Sequence, residues 1–415
     1  MRRIAIVGLG VTGKSVLHHF RHRTRELIAC DTRSSLEEID KLKKDYPEVE
    51  FHLSGLEPLL AHPLDQIVVS PGISLEEPVL QKLKAKGVLI QSDIDLFLQN
   101  NTTPVIAITG SNGKTTVTTW VGDCLSALGY SVFVCGNIGE PVLAIESKKF
   151  DFIVMELSSF QLEASHPIRA TVAICLNVTP DHLDRHGSME NYTAVKMRIY
   201  AGASIAVVRE NAGYAYTPEP EQIVHLVSPL DQFSDQSEQQ RDNREAVVAI
   251  LEALNIDKAE AIRRVAACQG LKHRFETVGT INGVCYINDS KATNVGAAIM
   301  AMRSAKARAN CVIVIAGGQT KASPLEEWAS VAKECAEKMI VYGQDADLMQ
   351  HVLGDLALRV NDLKEAMVIA KKLAKPGDIV LLAPAAASLD QFKNYEERGD
   401  CFARLSNELH SKENL

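Results

Sequence analysis

Short apolar runs rich in Val and Ile recur along the chain, each followed by a stretch whose apolar positions return at helical spacing. The runs include Ile4–Val7, Leu27–Cys30, Gln66–Val69, Val105–Ile108, Phe152–Met155, Val172–Leu176, Cys311–Ile315, Met339–Val341 and Ile379–Leu382. Buried strands alternating with helices are the pattern of α/β domains on largely parallel sheets. Most runs end in a polar or glycine-containing turn, and open sheets of this kind place ligands at the carboxyl ends of their strands.

Two breaks divide the pattern. One is the polar stretch Gln99-Asn-Asn-Thr-Thr-Pro104; the other lies near Gln269-Gly270, after a helical stretch over Arg244–Ala267. The expectation is three α/β domains, over residues 1–98, 99–270 and 271–415. They read as an N-terminal Rossmann-like unit, a central P-loop ATPase-like parallel sheet and a C-terminal Rossmann-like unit. A length of 415 residues agrees with two or three cores. The polar segment Pro218–Asn243 reads as a surface excursion.

Composition narrows the class. The chain is 46% hydrophobic and 23% charged, the balance of a soluble globular protein. A net charge of −8 argues against a nucleic-acid partner, although a local basic pocket for phosphates fits within an acidic protein. Nine cysteines without a Cys-x-x-Cys pair read as reduced thiols. No run reaches the roughly 18–20 apolar residues of a membrane helix. Glycines and Lys14 interrupt the apolar start, which reads as a strand feeding a glycine turn rather than as a secretory signal. The expected location is cytoplasmic, with no membrane insertion.

Two glycine loops carry candidate chemistry. Gly8-Leu-Gly-Val-Thr-Gly13 follows a strand and precedes a helix, with Asp31 at the end of the next strand. It matches the dinucleotide fingerprint, but a different nucleotide, a phosphate or a purely structural turn satisfies the same pattern. Thr109-Gly-Ser-Asn-Gly-Lys-Thr-Thr116 is more specific. Backbone N–H groups of Gly110, Ser111, Asn112 and Gly113 would wrap phosphates, Lys114 would neutralise them, and the Thr115 hydroxyl would ligate Mg²⁺. The strict phosphate-loop pattern has a glycine where Ile108 stands, so this is a shortened variant.

Glu156 ends a strand beside that loop, placed to hold Mg²⁺ through hard oxygen. Asp181, His182, Asp184 and His186 together suggest a metallohydrolase cluster, yet no further histidine-rich segment completes a zinc shell. One histidine joining an oxygen-rich Mg²⁺ site fits the phosphate loop better. By pattern alone Lys196 is a surface lysine.

The chain resembles the Mur ligase family, and its D-glutamate-adding branch in particular. Thr109–Thr116 is similar to the ATP loop of Mur ligases and folylpolyglutamate synthetases; Glu156–Glu163 and Asn177–Arg185 are similar to the central metal segment. Gly270–Glu276, Asn288–Asn294 and Ser388–Gly399 carry the resemblance to that branch. The resemblance implies an ADP-forming ligase of peptidoglycan synthesis, acting as a monomer on UDP-N-acetylmuramoyl-L-alanine, D-glutamate and ATP. It implies a UDP-substrate domain, an ATP domain and an amino-acid domain, in that order. Val11, Thr12, Asp31, Thr32, Arg33, Ser70, Gly72, Asn137, Ser158 and Gln161 would bind the UDP substrate. Lys114, Thr115 and Thr116 would hold ATP phosphates. Two Mg²⁺ ions would draw on Thr115, Glu156, His182 and Lys196, the last carbamylated. His273, Arg274, Asp289 and Lys291 would close on the nucleotide or the reaction centre. Thr293, Lys321, Ser388, Leu389 and Tyr395 would receive D-glutamate. Where the family has a His-Asn-x-x-Asn contact to ATP, this chain has Arg241-Asp-Asn-Arg-Glu245, leaving Asp242, Asn243 and Glu245 as substitutes. The alternatives are another Mur-type or folylpolyglutamate-type ligase, an NAD-dependent dehydrogenase and a non-enzymatic nucleotide-binding regulator.

Overall fold

A computed structural model describes residues 3–21, 26–145, 148–233, 238–309, 311–320 and 324–411. Three α/β domains follow one another, each with its own sheet. The first sheet holds β1 (Arg3–Val7), β2 (Glu26–Cys30), β3 (Val49–His52), β4 (Gln66–Val69) and β5 (Leu89–Gln91), all parallel in the order β3-β2-β1-β4-β5. This Rossmann-like order reverses direction beside β1, where a crevice opens above the first glycine loop.

The second sheet holds β6 (Val105–Thr109), β7 (Val132–Gly136), β8 (Phe152–Glu156), β9 (Val172–Cys175), β10 (Ile205–Val208) and β11 (Ile223–Leu226). They lie parallel in the order β11-β10-β9-β6-β8-β7. The third sheet runs β12 (Glu276–Ile281), β13 (Val284–Asn288), β17 (Ile379–Leu382), β14 (Val312–Gly317), β15 (Lys338–Tyr342) and β16 (Ala357–Arg359). Only β12 is antiparallel, paired to β13 through a hairpin.

The unbroken apolar runs have a simple cause. Side chains alternate between the two faces of a strand, and both faces of these sheets are covered. Ile106 and Ile108 enter one core of the central domain while Val105 and Ala107 enter the other. Val312 and Val314 likewise oppose Ile313 and Ile315 in the third domain.

Two stretches differ from expectation. Pro218–Asn243 is not merely a surface excursion: β11 lies within it, and the helix Glu238–Ala253 begins there. That strand sits on an exposed sheet edge, so it lacks the apolar signature of its neighbours. The single helical stretch expected over Arg244–Ala267 is two helices, Glu238–Ala253 and Lys258–Ala267. Asn255 breaks the first with φ +62°, and the Asp257 side chain caps the second by accepting from Glu260 N at 3.1 Å. No described helix is long and apolar enough to cross a membrane.

One buried cation knits the third domain's loops. Arg398 is fully buried on the helix Tyr395–Ser411. It donates to Ser290 Oγ (3.0 Å), Ser290 O (2.9 Å), Gly317 O (3.2 Å) and Ala386 O (3.1 Å). Arg398→Met should lower unfolding free energy by about 3 kcal/mol, because charged-group hydrogen bonds are lost and buried acceptors are orphaned. Urea unfolding measures this; an unchanged midpoint would show that the fork carries no stability.

Candidate active site

The second glycine loop joins β6 to the helix Lys114–Ala127. Gly113 caps that helix at φ +85°, and a Cβ there would overlap Asn243 Oδ1. The first helical hydrogen bond runs from Val117 N to Gly113 O, so the N–H groups of Lys114, Thr115 and Thr116 stand outside the ladder. Two expected phosphate donors are otherwise engaged. Ser111 N donates to Asn177 O and Asn112 N to Asn177 Oδ1, both at 2.9 Å. Their N–H groups therefore fix the loop to the strand-end segment after β9.

Two lysines meet at the loop. Lys114 Nζ donates to Gly110 O at 2.8 Å and Ser111 O at 3.0 Å; Lys196 Nζ donates to the same Gly110 carbonyl at 2.9 Å. Lys196 is no surface residue: it is 1% exposed, packed over the Tyr192 ring. Burial, and then the neighbouring Lys114, draw its ammonium down to about 7. Lys291 is drawn down to about 8 by burial and by Arg274 and Lys114. Burial raises the Asp289 carboxyl to about 7, against a hydrogen bond from Phe275 N–H and the charge of Arg274. Lys114, Lys196, Arg274 and Lys291 line one cleft with Glu156, Asp181 and Asp289. Such a concentration of cations, one buried and three half-buried, suits a polyphosphate.

Metal ligation fits the same cleft. Glu156 is 1% exposed; Asn137 Nδ2 donates to its Oε1 at 2.8 Å, while Oε2 has no hydrogen-bond partner. A buried orphan carboxylate oxygen is costly without a cation. Thr115 and His182 line the cleft beside it. The four-residue hydrolase cluster is not assembled: His186 turns away to Ser159 Oγ (2.9 Å) and Asp184 is exposed.

All ten residues expected to bind the UDP substrate line a second cavity, of about 950 Å³. Asp31 is already engaged within the protein. Its oxygens already accept from Leu9 N (2.7 Å), Arg33 N (2.9 Å), Arg33 Nε (2.8 Å) and Arg33 Nη2 (2.7 Å). Burial pushes this carboxyl up, but those hydrogen bonds prevail and hold it at about 2. It orders the loop and aims Arg33. Thr115, Asn137, Ser158, Phe160 and Lys291 line both cavities, which meet at that seam.

The third domain closes the cleft from above. Asn294 Nδ2 donates to Asn112 Oδ1 at 3.2 Å and Asp181 Oδ2 at 3.1 Å, while its own Oδ1 caps the helix Val295–Lys306. No sequence pattern singled out this clasp. His273 is a correction: it does not line the cleft. With φ +62° it packs on Gly399, bonds Asn288 Nδ2 through Nδ1 at 3.0 Å, and leaves Arg274 to face the cleft. Thr293 lines the cleft and Tyr395 the larger cavity, whereas Ser388 is buried and Leu389 exposed, outside both. Lys321 lies outside the described residues. Of the substitutes for the family's ATP contact, Asn243 lines the cleft with Gln239 and Gln240. Asp242 and Glu245 are instead paired to Arg209 at 3.4 and 3.0 Å.

Comparison with known proteins decides the family. Models of the MurD-like N-terminal domain, the Mur ligase middle domain and the glutamate ligase domain match residues 2–92, 108–240 and 273–386. The UDP-N-acetylmuramoylalanine–D-glutamate ligase of Legionella pneumophila (strain Lens) is 35% identical, over 96% of this chain and 97% of its own. That of Marinobacter nauticus is 38% identical, over 97% and 98%. The chain belongs to the Mur ligase family. Its fold is that of MurF from Thermotoga maritima in complex with ADP, with a TM-score of 0.60 at 16% identity, covering 98% of both chains. E. coli FolC in complex with DHPP and ADP gives 0.59 at 17% identity, covering 78% of this chain and 94% of that one. The dehydrogenase expectation from the first loop falls with this assignment.

Among Mur ligases the Asn294 clasp offers a direct test of docking. Asn294→Ser keeps a cap of equal quality but is too short to bridge, so stability should stay within about 0.5 kcal/mol. ATP binding by calorimetry should weaken about fivefold or more, a loss of about 1 kcal/mol for the missing bridge. Unchanged ATP affinity would remove Asn294 from the closing contact.

Proposed function

We propose that this chain joins D-glutamate to UDP-N-acetylmuramoyl-L-alanine, using ATP and releasing ADP and phosphate, in the cytoplasmic stage of peptidoglycan precursor synthesis. One observation carries the reading: a cation-rich cleft and a nucleotide-sized cavity share the wall Thr115, Asn137, Ser158, Phe160 and Lys291. Two substrates bound on either side would meet there. The curated relatives of near-equal length, named for this reaction, support the same assignment.

Amide formation from a carboxylate in water is uphill, so an oxygen must first become a leaving group. The alanyl carboxylate attacks the ATP γ-phosphorus, giving an acyl phosphate and ADP. The D-glutamate amine then adds to that carbonyl, and the tetrahedral intermediate expels phosphate as the amine loses its protons. Two anions approach in the first step, which the ammonium groups of Lys114 and Lys291 favour. Thr115, Glu156, His182 and Lys196 would hold Mg²⁺, which supplies charge neutralisation on the phosphates when bound. The third domain excludes water from the acyl phosphate. That domain receives the amino acid through Thr293, which lines the cleft, and Tyr395, which lines the larger cavity. The enzyme acts as a monomer.

Phosphate release from ATP, measured with UDP-N-acetylmuramoyl-L-alanine, should require D-glutamate for sustained turnover. Acyl-phosphate trapping should succeed without D-glutamate. ADP formation with no activated carboxyl would overturn this order, and turnover with a different amino acid would move the chain to a sister activity.

Lys196 acts as a carbamate. Its neutral amine adds to CO₂ with release of one proton, exchanging a buried cation for an anion on the metal side of the cleft. Lys196→Ala should lose about a hundredfold or more in kcat, on the scale of one lost electrostatic group, with partial rescue by short-chain carboxylic acids. Full activity of that variant, whatever the bicarbonate concentration, would refute the carbamate.

A further inference from the structure

The larger cavity contains a second aspartate whose state is the opposite of Asp31's. Asp93 opens the helix Asp93–Leu98, just behind the Ser92 capping box, and is 4% exposed. Its carboxylate takes a hydrogen bond from the backbone N–H of Ile94. Its Oδ1 has no partner. Asp93 lines the cavity with Gly72, Ile73, Asn137 and Pro141. Burial foremost pushes its carboxyl up to about 6, and among the described residues the charged group acting on it is another carboxylate, Asp95.

A buried oxygen left unpaired costs stability, and native structures keep few of them. Local needs do not explain this one, since Ser92 and Asp95 already form the reciprocal cap of the helix. The position within the cavity limits what meets it. The glycine loop and Arg33 mark one end, and the seam at Thr115, Asn137 and Lys291 marks the other. Asp93 is close enough to Cys135, two residues before Asn137, to raise that thiol's pKa, and its helix packs on the turn Val142–Ile145. It therefore lies on the Asn137 side of the cavity, which is the side of the seam. A diphosphate brings only acceptors and negative charge, which a carboxylate repels, so the matching group is a neutral donor.

We propose that the Asp93 carboxylate accepts a hydrogen bond from a sugar hydroxyl or amide N–H of the N-acetylmuramoyl-L-alanyl portion of the substrate, an inference that rests on the substrate reading above. Asp93 is then a substrate-binding residue of the non-nucleotide half, beyond the ten residues already placed in that cavity.

The test compares two ligands by calorimetry on the whole chain, UDP and UDP-N-acetylmuramoyl-L-alanine. Asp93→Ala should weaken the full substrate about tenfold or more, the scale of one hydrogen bond to a charged group. UDP, which does not reach Asp93, should bind within twofold of wild type. Asp93→Asn keeps an acceptor oxygen and should lose less than alanine does. Should the alanine variant not fold, Asp93→Ser carries the same comparison, being polar but too short to reach the ligand. Equal losses for both ligands mean a structural role and overturn the inference, as does no loss for either. If the wild-type chain binds UDP but not the full substrate, the substrate reading itself fails and takes the inference with it.

Discussion

The structure depends on one electrostatic constraint: four basic side chains, one buried and three half-buried, crowd the second glycine loop. Lys114 and Lys196 share the Gly110 carbonyl, and Arg274 and Lys291 enter the same cleft from the third domain. Burying unpaired ammonium groups is unfavourable, and it pulls their protons toward release. A polyphosphate entering the cleft would relieve the penalty, as would the carbamate proposed at Lys196. Nucleotide binding would thereby be coupled to domain docking, because Arg274 and Lys291 belong to a different domain from the loop they approach.

That coupling follows from the topology. Each sheet presents a strand-end loop toward a shared seam: the first glycine loop after β1, the phosphate loop after β6, and the Asp289–Asn294 segment after β13. Open parallel sheets gather backbone N–H groups and loop side chains at their carboxyl ends. Three such ends facing one another bring a nucleotide-linked acid and a phosphoryl donor within reach of one set of lysines. Lys291 lines both cavities, which puts it within reach of a ligand in either.

Much of this was legible in the chain, for reasons that differ by element. Central strands announce themselves because both faces are buried, as at Val105–Thr109. The edge strand Ile223–Leu226 is exposed, half of its periodicity is lost, and a polar loop was the natural expectation. Loop glycines and Lys114 were readable because their chemistry is local. Lys196 was legible only through the family resemblance: a lysine within a helix has no local sign of burial, and the packing of Tyr192 and Gly110 around it reveals its environment. His273 and Arg274 are adjacent, so sequence placed them together. The left-handed backbone at His273 separates them, sending one ring beneath Gly399 and one guanidinium toward the cleft. Asn294 and Asp93 escaped notice because the significance of the first lies in partners more than a hundred residues away, and that of the second in one carboxylate oxygen left without a partner.

The missing glycine at Ile108 accounts for the rest of the loop's surroundings. Ile108 is fully buried in the strand, and its carbonyl accepts from Leu157 N at 2.8 Å, so the loop begins late and spans fewer residues. A short loop cannot spare every N–H for a ligand and still hold its shape. Ser111 and Asn112 are therefore fastened to Asn177, and the Ser111 hydroxyl to Thr179 O at 2.9 Å and Tyr192 OH at 3.0 Å. The helix start at Lys114–Thr116 is left to meet phosphate. The segment that does the fastening continues into Asp181 and His182, and the same Asn112 side chain is held by Asn294 of the third domain. A loop one glycine short thus draws its rigidity from the metal-side segment and from the closing domain. A generic phosphate loop has no such need, and this dependence makes docking of the third domain part of building the nucleotide site.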